Sequence, residues 1–194
     1  SMIRFALALV FYWYEFLVRV APGPMFKSLM VDLNLDAQAF GLLSSSFLLP
    51  YALLQIPCGL LLDRIPTGRV LLVSCLICVL STLGFSLAHN YFLLVFWRTL
   101  SGVGSAVAVL ACMKIAISEF PKSYFGIFAG VILFVGGLGA ISGKILLSIC
   151  LKYYAWREIM AFLGIAGLVL CGFILYCFDL SSYPDQSESE ADSS

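Results

Sequence analysis

The chain has 194 residues, of which 62% are hydrophobic and 11% charged, with a formal net charge of zero. A soluble domain carries about 45–50% apolar and about 25% charged residues, so a soluble fold of this length would lack the polar surface to cover itself. The composition excludes a soluble globular protein and implies an integral membrane protein, with the lipid bilayer as a partner and no nucleic acid.

Six apolar spans follow one another, over residues 5–29, 38–62, 70–88, 91–113, 124–149 and 157–178. About 20 residues at ~1.5 Å rise cross the ~30 Å hydrocarbon core, and each run is of that order. No stretch alternates apolar and polar as a barrel strand requires. An all-α polytopic bundle over 3–178 is therefore expected.

The first span carries Tyr12, Glu15 and Arg19 at i, i+3 and i+7, on one helical face. An ionised residue at mid-membrane costs about 2.5–3.5 kcal/mol on insertion scales, and pairing of Glu15 with Arg19 lowers that cost. This face is either a structural ion pair or a substrate or proton site. Its charges, the lack of a small-x-small cleavage site and the five spans that follow argue against a cleaved signal peptide. Pro22 and Pro24 are expected to kink or end the first span, and Asp36 to cap the second.

The second span runs into segment 59–69, Gly-Leu-Leu-Leu-Asp-Arg-Ile-Pro-Thr-Gly-Arg, a short charged hairpin before the third. Asp63 sits at a helix C-terminus, where the dipole disfavours an anion by about 0.3–1 kcal/mol. Compensation is expected from Arg64, from Arg69 or from the N-terminus of another helix.

All seven cysteines lie in or beside apolar runs and build no extracellular disulfide framework. Cys75 and Cys78 read as an i, i+3 pair of small apolar residues on a helix. The only histidine, His89, lies in the turn 88–90, so no metal site or cofactor is expected.

In the fourth span Arg98 lies about a turn and a half from the outer end, at a depth similar to Arg19. Ser101, Gly102, Ser105 and Ala106 form a small-residue face beyond it. The fifth span, after the break at 119–123, has two G-x-x-x-G pairs, Gly126 with Gly130 and Gly139 with Gly143, which permit close helix packing. Lys144 is expected to snorkel to the interface. Trp156 reads as an interfacial anchor for the sixth span, with Arg157 and Glu158 at the water boundary.

With the N-terminus inside, the inner side carries Arg4, Arg64, Arg69, Lys114 and Lys122, and the outer side Lys27, Lys152 and Arg157. That bias favours cytoplasmic N- and C-termini. The expected location is a bacterial inner (plasma) membrane. Residues 179–194 are polar and acidic, and a disordered tail or the start of a linker is expected.

The wording Gly59-x-x-x-Asp63-Arg64, followed by Gly68 and Arg69, resembles the loop between helices two and three of the major facilitator superfamily of transporters. The family usually has glycine three residues after the aspartate, where this chain has Pro66. Arg98-x-x-x-Gly102 resembles the family's span-four motif, and Trp156-Arg157 the pair that often opens span six. The Gly-Pro motif of the antiporter branch is absent from span five, so drug–proton antiport is not supported. The resemblance covers about residues 3–178.

The resemblance implies a 3+3 inverted-repeat bundle forming one half of a twelve-span fold, with solute bound between the halves. Gly59, Asp63, Arg64 and Arg69 would form an inner gating latch. Spans one and four would line a cavity faced by Glu15, Arg19 and Arg98, suiting an anionic or zwitterionic solute, with Glu15 as a candidate proton carrier. The expected function is secondary active transport by alternating access, as a symporter, coupled to a proton or ion. The second six-helix half is expected in cis or by dimerisation.

The alternative is a non-transporting six-helix scaffold that recruits a partner. An intramembrane enzyme is not expected. The run from Gly102 to Ala106 loosely resembles a rhomboid serine motif, but that chemistry needs a histidine within another span.

Overall fold

The structure, a computed structural model, describes residues 2–178. The expected tail at 179–194 lies outside the described residues. Among the described residues the regular structure is helical: α1 (Met2–Val20), α2 (Pro22–Leu33), α3 (Ala37–Leu53), α4 (Gln55–Arg64), α5 (Thr67–Ser86), α6 (Tyr91–Ser105), α7 (Ala108–Glu119), α8 (Phe125–Cys150) and α9 (Trp156–Cys177). A single 3-10 turn, Lys122–Tyr124, leads into α8.

The helices group into six spans. Met2–Leu33, Thr67–Ser86, Tyr91–Glu119, Lys122–Cys150 and Trp156–Cys177 are each long and apolar enough to cross a bilayer, and α3 with α4 makes a sixth, bent by 44°.

The breaks have local causes. Pro22 and Pro24 interrupt span one after Val20, yet the helix resumes and reaches Leu33, past the expected end at 29. Asn34 closes it in the left-handed conformation, at φ 49. Asp36 caps α3 as expected, accepting the Ala39 N–H at 2.7 Å. Asn90, expected only as a turn residue, caps α6 by accepting the Leu93 N–H at 2.8 Å.

Span two was expected to run unbroken over 38–62, and here the expectation is corrected. Pro57 has no N–H for the Leu53 carbonyl, and its ring excludes that oxygen from the helical position. The chain turns at Leu54, and Pro57 falls in the first turn of α4, where a missing donor is tolerated.

Span one packs on span five, span two on span four, and span three on span six. Advancing each span by three turns the pair one–five into four–two and returns the pair three–six to itself. The packing thus has the two-fold order of a 3+3 repeat.

Two apolar cores fill the bundle. One, around Phe5, Phe11, Leu71, Cys112 and Ile174, lies toward the end that holds the N-terminus. The other, around Met25, Leu43, Phe85, Leu94 and Trp156, lies toward the opposite end. The buried ionisable residues Glu15 and Arg98 sit where the two meet.

Candidate functional site

Helix α1 brings Glu15 and Arg19 to that junction. Glu15 is fully buried, and its Oε1 accepts from Arg19 Nε at 2.9 Å, with Arg19 Nη2 at 2.6 Å. A lone buried carboxylate would be prohibitively costly, and the i, i+4 arginine offsets that cost. Glu15 Oε2 is buried without a hydrogen-bond partner.

Arg19 is less enclosed, with its side chain 20% exposed. Its guanidinium carbon lies 4.2 Å from the centroid of the Tyr51 ring, 4.5 Å from Phe16 and 5.2 Å from Phe47. Three aromatic faces around one cation are a favourable cation–π arrangement in a desolvated setting. Phe47 and Tyr51 stand four residues apart on α3, so both project toward span one, stacked at 6.0 Å. Tyr12 is buried against span five: a Cβ on Gly136 would come within 2.9 Å of the Tyr12 hydroxyl. Its ring meets Phe16 edge-on at 5.0 Å.

Arg98 lies behind this pair and is 4% exposed. Its Nη1 donates to the Val18 carbonyl at 2.8 Å and its Nη2 to the Arg19 carbonyl. In an unbroken helix the amide of residue 22 would bond Val18, but Pro22 has no N–H. Arg98 supplies the missing donor from span four. Its guanidinium also lies 4.6 Å from the Phe47 ring centroid. The expectation that Glu15, Arg19 and Arg98 all face one water-filled space is therefore corrected: only Arg19 is partly exposed, and Glu15 and Arg98 are buried.

The hairpin also differs from expectation. Asp63 is 75% exposed and pairs with Lys114 Nζ at 3.3 Å, and the same ammonium donates to the Leu62 carbonyl at the end of α4. A compensating cation thus comes from span four; Arg64 and Arg69 are both exposed. Pro66 makes the turn and accepts from the Arg69 N–H at 3.0 Å. Gly68 instead admits Phe178, whose Cβ would lie 2.8 Å from an added Cβ. Gly59 has no neighbour within 4 Å of an added Cβ, so it brings no helices together here.

The small-residue contacts divide. Gly102 lies under the Phe47 carbonyl, with Pro50 Cγ at 2.9 Å from an added Cβ. Gly139 and Gly143 face span one, with Phe16 Cβ and Val20 Cγ2 each at 2.8 Å from an added Cβ. Gly126 and Gly130 are exposed and have no such neighbour, which corrects the expectation of packing there. Lys144 is exposed.

At the opposite end the sequence reading missed Asp32. It accepts from Trp156 Nε1 at 3.2 Å and pairs with Arg157, whose Nη2 also donates to the Ala88 carbonyl at 2.9 Å. Spans one, three and six are tied there. Trp156, at the start of α9, is buried edge-on against Phe85. The aromatic ring trio was missed as well; the Phe47-x-x-x-Tyr51 spacing was its available signal.

The family model of the Major Facilitator Superfamily matches residues 8–193. The chain is 25% identical over 175 residues to a probable sulfoacetate transporter of Cupriavidus necator, covering 90% of this chain and 40% of that protein. It is 26% identical over 170 residues to a probable galactarate/D-glucarate transporter of Bacillus subtilis, covering 84% of this chain and 37% of that protein. A solved bacterial homolog of the human lysosomal transporter Spinster, inward-facing and unoccupied, superposes with a TM-score of 0.78 at 17% identity, covering 93% of this chain and 44% of that one. The chain thus spans less than half the length of each of these proteins. With the family model matching nearly end to end, and six spans paired in two-fold order, the chain belongs to the Major Facilitator Superfamily.

Proposed function

We propose that the chain is the N-terminal six-span half of a secondary transporter, or a half-size form of one, that moves a small organic anion by alternating access. The observation that carries this reading is Arg19. It is a partly exposed cation on the open face, boxed by Phe16, Phe47 and Tyr51 and backed by the buried Glu15. An anionic group binding there gains charge-assisted hydrogen bonds in a setting with little competing water. The solutes in the names of two relatives, sulfoacetate and galactarate or glucarate, are organic acid anions, which supports the same class.

Glu15 is the proton carrier in this proposal. An incoming anion competes with it for Arg19, and protonation of the released carboxyl couples the two events as symport. Arg98 is a positioning residue that holds span one at its break. The second six-span half, in cis or from another copy, closes the open face. Both ends of this six-span unit lie on the cytoplasmic side of a bacterial plasma membrane, an orientation that the Lys and Arg distribution supports.

Uptake by the native polypeptide in proteoliposomes tests this, with a panel of radiolabelled sulfonates, carboxylates and neutral sugars. Accumulation of an acid anion, abolished in Arg19→Gln while the variant remains folded, is the expected result. Equal uptake of neutral solutes in Arg19→Gln and wild type overturns the anion assignment. Absence of any uptake by folded protein favours a six-helix scaffold.

A further inference from the structure

We propose that Cys75 and Cys171 are a paired redox site, at which a peroxide closes a disulfide joining span three to span six. Their sulfurs lie 3.0 Å apart, one on α5 and the other on α9. Both thiols are free. A disulfide requires about 2.05 Å between sulfurs, so closure needs a shift of about 1 Å.

The other cysteines face elsewhere. Cys78, a turn away on the same helix, points to span four, where its Sγ lies 3.7 Å from Ser105 Oγ and 3.9 Å from the Ser101 carbonyl. The Cys75-x-x-Cys78 spacing therefore separates its two thiols onto different interfaces, and the partner of Cys75 is 96 residues away. Cys112 is buried among the apolar residues of the N-terminal core, and Cys58, Cys150 and Cys177 are half-buried.

The chemistry runs in two balanced steps. Cys171 is the thiol a small oxidant meets first, because it is 6% exposed and Cys75 is 0% exposed. Hydrogen peroxide oxidises it to the sulfenic acid, releasing one water. The Cys75 sulfur then attacks the sulfenic sulfur, the S–O bond breaks, and the hydroxyl leaves with the Cys75 proton as a second water. Two thiols have lost two electrons to one peroxide. Burial slows the first step, because attack needs an ionised thiol. Proximity makes the second fast, because the two sulfurs are already in contact.

The cross-link lies at the span three–span six contact, which maps onto itself in the repeat. It therefore staples this six-span unit internally rather than across a moving interface.

The test uses the native polypeptide in lipid nanodiscs, with a protease site inserted in the 119–123 connection. The protein is treated with hydrogen peroxide, blocked with maleimide, cleaved and run without reductant. The expected result is two fragments held together in wild type and in Cys78→Ser and Cys112→Ser, and separated by dithiothreitol. They are expected to separate without reductant in Cys75→Ser and Cys171→Ser. Peptide mapping of the wild type, which needs no variant to fold, is expected to find the Cys75–Cys171 pair and a higher Tm for the oxidised form. Fragments that separate in oxidised wild type, or that remain joined in folded Cys171→Ser, overturn the proposal.

Discussion

Arg98 donates a hydrogen bond of 2.8 Å to the carbonyl of Val18, the one that Pro22 leaves without a helical donor. A helix-breaking proline in span one and a buried arginine in span four are thus one structural unit. A proline in a membrane helix needs such a substitute donor, because lipid offers none.

Removing the arginine should strand the Val18 and Arg19 acceptors. Arg98→Ala is expected to cost about 1–3 kcal/mol per stranded group. Pro22→Ala returns an N–H to Val18 and is expected to recover part of that loss in the double variant. Unfolding of the four proteins in a mixed detergent series reads the coupling, and strictly additive losses would reject the link.

Glu15→Gln keeps the volume of the side chain and its hydrogen bond to Arg19 but removes the titrating proton. Under the proposed mechanism, accumulation driven by an imposed pH gradient should vanish while solute exchange across the membrane continues. Gradient-driven accumulation at the wild-type rate would remove Glu15 from the coupling step.

The glycines of α8 should differ sharply. Gly139→Leu or Gly143→Leu drives a side chain into Phe16, Leu17 or Val20 and is expected to destabilise by about 1–3 kcal/mol or more. Gly126→Leu and Gly130→Leu meet open space and should stay within about 0.5 kcal/mol of wild type. Thermal melts of the four variants check this, and a large loss at Gly130 would reveal another helix packed there.

Asp32 ties three spans, but its side chain is 43% exposed and that of Arg157 is 31% exposed. Screening therefore limits the effect of Asp32→Asn to about 0.5–1 kcal/mol, shrinking as salt is raised. A changed Trp156 emission, with a stability loss that fades at high salt, is the expected signature. A loss independent of salt would mean that the Trp156 hydrogen bond, rather than the ion pair, dominates.

The six spans, the Asp36 cap and the interruption near Pro22 were legible because each rests on local chemistry: apolar length, a capping oxygen, a missing amide. The pairing of Glu15 with Arg19 was legible for the same reason, since i and i+4 on one helix are neighbours in any fold. The bend at Leu54 is also local, written in Pro57, but the run is apolar on both sides and hydropathy alone does not mark it.

The sequence by itself determined a six-span apolar bundle, the residues that carry charge inside it, and the family resemblance held in its hairpin. Only the tertiary structure decided which partner each charge takes. Lys114 pairs with Asp63 from 51 residues away, Arg98 bonds a backbone 80 residues away, and Asp32 holds Arg157 across 125. The aromatic box on Arg19 is likewise assembled from two spans. In lipid a buried charge has no water to fall back on, so its partner is set by whichever helix packing brings within reach. That packing is a property of the bundle, and no single helix records it.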